Sequence, residues 1–119
     1  MSKILLLEDN MQRIIWFKEN VGNKHQLMVA DNVKDAIRIY NMFRPFDIIF
    51  LDHDLDGRVY VNSSEENTGY QFAKYLKSVK WGGTTYIHSL NEEGAKKMKG
   101  ELPEAKIIPF LELKDQLII

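Results

Sequence analysis

Three short clusters of acids, imidazoles and small polar residues stand out, each directly after an apolar run. Glu8-Asp9 follows Ile4 to Leu7, Asp52-His53-Asp54 closes the run from Asp47, and His88-Ser89 with Asn91 follows Thr84 to Ile87. Grouped carboxylates repel one another unless a cation or protons neutralise them, and they shift one another's pKa values. Imidazoles titrate near neutral pH and suit either proton transfer or metal ligation. If the clusters meet in space, they bring up to four carboxylates, two imidazoles, a hydroxyl and an amide to one place. Such a set can run acid–base chemistry or hold a divalent cation.

Taken singly, most of these residues have an ordinary explanation. Glu8 and Asp9 suit the start of a helix, whose dipole favours acids. Ser89, Asn91 and Asp31 suit helix caps, and Asp56-Gly57 is a turn signal. His25 falls at the opposite end of its strand from the other two histidines and reads as surface. His53 between two aspartates, with His88 at a neighbouring strand end, is harder to assign to folding alone.

The elements that would position these clusters repeat as a short apolar run followed by an amphipathic stretch. Ile4 to Leu7 is continuous rather than alternating, as in a parallel strand covered on both faces. Asn10 caps a helix to about Asn20 with Met11, Ile14 and Ile15 on one face, and Gln26 to Ala30 is a second strand. Asp31 and Asn32 offer caps for a helix with Val33, Ala36, Ile37 and Tyr40 at helical spacing. Pro45 stops it, and Asp47 to Asp52 is a third strand. A polar stretch from about Asp54 to Asn67 is long enough to be functional. Phe72, Ala73, Leu76 and Val79 mark a third helix before Gly82-Gly83, and Thr84 to Ser89 a fourth strand. Asn91 caps a fourth helix with Gly100 just past its end, Ala105 to Phe110 is a fifth strand, and Leu111 to Ile119 a short final helix.

Five such units imply an α/β fold with a doubly wound, five-stranded parallel sheet of flavodoxin-like topology, strand order 2-1-3-4-5. That order places the carboxyl ends of strands one, three and four side by side, where open α/β sheets bind ligands. The chain of 119 residues is expected to form one domain over residues 1–119. Sixteen basic residues against 17 acidic ones give a net charge of −1, which disfavours an extended nucleic-acid or anionic-membrane surface. With no cysteine, thiolate metal sites and cysteine nucleophiles are excluded. No stretch approaches the ~18 apolar residues of a membrane span, so a cytoplasmic location is expected.

The acids after strand one and the aspartate after strand three resemble the receiver domain of bacterial response regulators. That resemblance implies magnesium at the acidic pair and phosphoryl acceptance at Asp52. Receivers carry a lysine before a proline after strand five, whereas Ile108 precedes Pro109 here. The sequence is more similar to a receiver-like family of cyclic-phosphate-processing domains. It shares Glu8-Asp9, Leu51-Asp52-His53-Asp54-Leu55, Thr68-Gly69-Tyr70, and His88-Ser89 with Asn91, Gly94 and Met98. The resemblance covers nearly the whole chain. It implies a receiver-like fold and a phosphoesterase acting on cyclic phosphates, either 2′,3′-cyclic phosphate RNA ends or cyclic nucleotides.

Hydrolysis of a cyclic phosphate needs a base for water, an acid for the leaving oxygen, and donors around the phosphoryl oxygens. His53 and His88 are assigned the acid and base roles, with Asp54 orienting an imidazole. Ser89, Asn91 and Thr68, with Arg58 as a cationic clamp, are assigned to substrate. Alternatively Glu8, Asp9 and Asp52, with a histidine, hold magnesium or manganese as a Lewis acid. Two other classes remain open: a non-enzymatic receiver-type signalling or interaction module, and a protein that sequesters a cyclic nucleotide without cutting it.

Overall fold

A run of apolar residues without alternation is stable as a strand only where both of its faces are covered. The first strand, β1 (Lys3–Leu7), meets that condition, since Ile4 to Leu7 are fully buried. It is followed by α1 (Met11–Asn20), β2 (Gln26–Ala30), α2 (Val33–Phe43), β3 (Ile48–Leu51), α3 (Gly69–Ser78), β4 (Thr84–Ile87), α4 (Glu92–Glu101), β5 (Lys106–Ile107) and α5 (Phe110–Asp115). The five strands form one parallel sheet in the order β2-β1-β3-β4-β5, the expected topology. The structure, a computed structural model, describes residues 1–119 apart from 56, 59, 117 and 118. Among the described residues no helix is long and apolar enough to cross a membrane.

Strand alternation divides the core in two. Leu5, Leu7, Ile49, Leu51 and Ile87 point to the layer of α2, α3 and α4, whereas Ile4, Leu6, Ile48, Phe50 and Tyr86 point to α1 and α5. Asn10, Asn32 and Asn91 cap α1, α2 and α4 by accepting from the amides of Arg13, Asp35 and Gly94. An asparagine oxygen thus satisfies a first-turn donor that has no partner within its helix.

The α1 face differs from expectation. Met11 and Ile15 are 66% and 46% exposed, while Ile14, Phe17 and Val21 are buried. Phe17 sits against Phe50, Phe110 and His88 with ring centroids 5.1–6.0 Å away, so the larger ring decides which stripe faces the sheet. Gly100 lies inside α4 rather than past its end, and α3 stops at Ser78, with Lys80 in the left-handed region at φ 59°. At the carboxyl end Leu113 is buried in the α1/α5 layer and Ile119 packs against it. The tail residues Leu117 and Ile118 lie outside the described set.

Candidate active site

The alternation that sorts the core also sorts the chemistry at the carboxyl ends of the strands. Leu7 pairs with Leu51 and Leu51 with Ile87, so Glu8, Asp52 and His88 are the next residues of three adjacent strands. Backbone bonds continue through this row, from the Asp52 amide to Leu7 and from the His88 amide to Leu51, both 3.0 Å. Following Leu6, Phe50 and Tyr86, these side chains point to the α1/α5 layer. Asp9, His53 and Ser89 fall on the other side. Neighbours in sequence are thereby separated into two networks.

In the first network all three side chains are buried. His88 Nε2 lies 2.8 Å from Glu8 Oε1, and Glu8 Oε2 accepts from the amides of Asp9 and Asn10 at 3.0 and 3.1 Å. Arg13, on the first turn of α1, sets its guanidinium 3.6 Å from Glu8 Oε1 and 3.7 Å from Asp52 Oδ2, over the ring of Phe110. Burial pushes the Glu8 carboxyl up, but the hydrogen bond and charge of His88, the Asn10 amide and Arg13 together outweigh it. The net pKa lies below the ordinary value. Asp52 goes the other way. Burial, and then the charge of Glu8, raise it to about 7, although His88, Arg13 and the His53 amide oppose the shift.

The second network holds the long connection between β3 and α3. His53 is fully buried, with Nδ1 2.8 Å from Asp54 Oδ1 and Nε2 2.8 Å from Ser63 Oγ. Asn91 Nδ2 donates to the same Asp54 oxygen at 3.1 Å. The amides of Tyr60 and Val61 donate to the Asp54 carboxylate at 2.6 and 3.0 Å. Burial pushes Asp54 up, but the donors from His53, Asn91 and these two amides win and hold it below its ordinary value. Two glycines permit this packing. A Cβ on Gly94 would stand 2.5 Å from His53 Cγ, and one on Gly69 only 1.8 Å from the Asp52 carbonyl oxygen.

Between the networks lies a cavity of about 370 Å³ lined by Asp9, Asn10, Met11, Arg13, Asp52, Asp54, Gly57, Arg58, Tyr60, Leu90 and Asn91. Neither imidazole lines it: both are fully buried, His88 bonded to Glu8 and His53 to Asp54. Ser89 and Thr68 are buried away from it. Ser89 Oγ accepts from the Asn91 amide, and Thr68 Oγ1 donates to the Glu65 and Ser63 carbonyls. Arg58 reaches the cavity but makes a two-point ion pair with Glu65, at 2.7 and 3.1 Å. Asp9 Oδ2 accepts from the Gly57 amide at 2.5 Å, fastening the loop over β1. Among the lining residues, Arg13, Tyr60 and Leu90 are not singled out by the sequence. Arg13 was detectable, because a long side chain on a first turn leans back toward the residues before the helix, here the acidic pair.

Glu8, Asp52 and His88 each bring a ligand atom within 4.8 Å of the other two. Two carboxylates and an imidazole suit magnesium, manganese or another imidazole-accepting ion, and a cation would relieve the crowding that raises Asp52. The group can therefore hold a metal, in competition with Arg13 for the same carboxylates. Asp9, expected among the ligands, is not in this group, and the histidine in it is His88.

A sequence model of the family described as "Cyclic-phosphate processing Receiver domain" matches residues 3–104. No curated protein sequence matches the chain. Among solved structures, a Francisella response regulator receiver domain is similar at TM-score 0.73 and 19% identity, covering 99% of this chain and 91% of that one. The N-terminal domain of an uncharacterized protein from Wolinella succinogenes gives TM-score 0.75, 17% identity and coverage of 98% and 88%. The response regulator TrrA from Thermotoga maritima, in complex with Mg(2+)-BeF, gives 0.69, 17%, and 98% and 96%. At these identities the likeness is one of fold.

Proposed function

The chain belongs to the cyclic-phosphate processing receiver domain family, and from that premise we propose that it hydrolyses cyclic phosphates at the carboxyl edge of its sheet. The observation that carries the reading is Asp52, a cavity-lining carboxyl with a pKa of about 7, beside the guanidinium of Arg13. A group titrating near the working pH is matched to proton transfer, and a guanidinium is matched to phosphoryl oxygens. The substrates that fit are the 2′,3′-cyclic phosphate of an RNA end or a cyclic nucleotide.

In the step proposed, a water oxygen forms a bond to phosphorus and one ring P–O bond breaks, leaving a phosphomonoester. The proton released by water passes to the Asp52 carboxylate at the cavity floor, and Asp52 returns it to the leaving ribose oxygen as the ring P–O bond breaks. Asp52 is the group able to exchange that proton. Asp54 is held ionised by its donors and makes a poorer base. Arg13 neutralises charge developing on the phosphoryl oxygens. His88 and His53 act as positioning residues, one fixing Glu8 and the other fixing Asp54 and the loop. Neither imidazole lines the cavity, so direct acid–base work by either requires a rearrangement that brings it there. A divalent ion held by Glu8, Asp52 and His88 would supply a Lewis acid at the same place.

The test is a panel of 2′,3′-cyclic nucleotides, cyclic-phosphate RNA ends and cyclic oligonucleotides, run with and without chelator. Asp52→Asn and Arg13→Ala are expected to abolish turnover, and His53→Ala and His88→Ala to reduce it. Parent-like turnover in Asp52→Asn and Arg13→Ala would place the chemistry elsewhere.

One observation favours a second reading, a phosphoryl-accepting module: Asp52 ends β3 and faces the cavity in a fold shared with a structure holding Mg(2+)-BeF. Against it, the residue before Pro109 is Ile108, which carries no charge for a phosphoryl group. Labelling of Asp52 by acetyl phosphate, without hydrolysis of any cyclic phosphate, would establish that reading.

A further inference from the structure

Tyr60 is built into the site in a way that folding does not require. Its backbone lies in the left-handed region at φ 53°, which is unfavourable for a residue with a bulky side chain. That conformation is fixed by the two carboxylate oxygens of Asp54, which accept the amides of Tyr60 and Val61. The consequence for the two side chains is opposite. Val61 turns inward and is buried, whereas the Tyr60 ring is left 75% exposed. The exposed ring stands at the mouth of the cavity that holds Arg13 and Asp52. Tyr60 also lines two further clefts that share Asn91 with this cavity, one of them together with Leu90.

We propose that Tyr60 is the platform on which the base of a nucleoside cyclic phosphate stacks while Arg13 and Asp52 engage its phosphate. This inference rests on the hydrolytic reading above and adds to it a residue that recognises the base. An aromatic face accepts any base, because stacking uses the π surface rather than a hydrogen-bonding edge. The apolar side chain of Leu90, itself exposed, lines the same cavity and cleft as Tyr60. Arg13 is a cation at the inner end and Tyr60 an aromatic at the outer end, an order that matches phosphate, sugar and base. A cyclic phosphodiester without a base would use only the inner half.

The experiment compares cytidine or adenosine 2′,3′-cyclic phosphate with 1-O-methylribose 2′,3′-cyclic phosphate on the parent, Tyr60→Ala and Tyr60→Phe. Binding of the corresponding monophosphates is measured in parallel by calorimetry. Loss of one stacked base is expected to raise KM, and the Kd of the monophosphate, by ~10-fold or more in Tyr60→Ala. The base-free compound should be unaffected, kcat should change little, and Tyr60→Phe should behave as the parent. Equal effects of Tyr60→Ala on both compounds, or none on either, overturn the inference while leaving hydrolysis standing. Tyr60-dependent nucleotide binding without turnover supports the platform and removes the hydrolytic reading. Absence of both binding and turnover overturns both.

Discussion

His88 Nε2 lies 2.8 Å from Glu8 Oε1, and neither side chain has any exposed surface. The imidazole is surrounded by Phe17, Phe50 and Phe110, with ring centroids 5.2 to 6.4 Å away. Its other nitrogen, Nδ1, is buried with no hydrogen-bond partner among the described residues. Removing one member of a buried pair strands the other, at a cost of roughly 3–5 kcal/mol, while replacing both by apolar residues is often neutral. His88→Leu should therefore lose on the order of 3 kcal/mol in urea unfolding. Glu8→Leu combined with His88→Leu should be more stable than His88→Leu alone. A double variant weaker than the single would mean that Glu8 is held mainly by the Asp9 and Asn10 amides and by Arg13.

Asp52 ties stability to pH with a definite sign. Its folded pKa of about 7 lies above the ordinary 3.8. Between those values the folded chain binds the extra proton, so stability falls as pH rises through the window. The full stabilisation is present below the unfolded value and is lost as pH passes the folded one. Asp52→Asn keeps an oxygen for the His53 amide and removes the titration. It should stabilise the protein by on the order of 2 kcal/mol at pH 8 and by little near pH 4. Thermal unfolding at the two pH values, in chelator, checks this. An equal shift at both would mean that packing, not charge, is responsible.

The strand runs, the asparagine caps and the sheet order were legible because each rests on local chemistry: continuous apolar residues, a side-chain oxygen before a helix, alternation of units. The clustering of Asp9, Asp52, Asp54 and Asn91 around one cavity followed from that order. The grouping of the histidines did not, because His53 adjoins Asp52 in sequence yet points through the opposite face of the sheet. Counting alternate residues from Leu6, Phe50 and Tyr86 would have separated them. The stripe of α1 was misjudged since Met11, Ile14 and Ile15 satisfy helical spacing as well as Ile14 and Phe17 do. Tyr60 left no signal, as its exposure depends on a backbone conformation imposed from Asp54.

Two glycines of α4 should respond oppositely to the same substitution. A Cβ added to Gly94 would stand 2.5 Å from His53 Cγ, while one added to Gly100 would meet nothing beyond its own helix within 4 Å among the described residues. Gly94→Ala must displace a buried imidazole bonded at both nitrogens, and should cost roughly 1–3 kcal/mol. Gly100→Ala removes backbone freedom from the unfolded chain at no steric cost, and should gain about 0.5–1 kcal/mol. Equilibrium unfolding of the two variants side by side tests the contrast. A neutral Gly94→Ala would show that His53 is free to shift and is not the anchor of the loop.

Arg13 and a divalent ion compete for the same two carboxylates, which gives the last prediction. The guanidinium lies 3.6 and 3.7 Å from Glu8 and Asp52, and a metal held by Glu8, Asp52 and His88 would need those oxygens. Arg13→Ala removes the cation while leaving all three donors, so Glu8 and Asp52 face each other with less neutralisation. The variant should unfold at lower temperature than the parent in chelator. It should regain more than the parent does on addition of manganese, because binding to the folded state stabilises in proportion to RT ln(1 + [L]/Kd). Arg13→Lys keeps the charge and should show a smaller gain, although a lysine ammonium does not present the guanidinium's fork. Thermal shift titrations of the three proteins with Mn²⁺ and Mg²⁺ read this without any substrate. If the parent and Arg13→Ala respond alike, Arg13 does not guard the carboxylates, and its place at the cavity floor serves the phosphoryl oxygens alone.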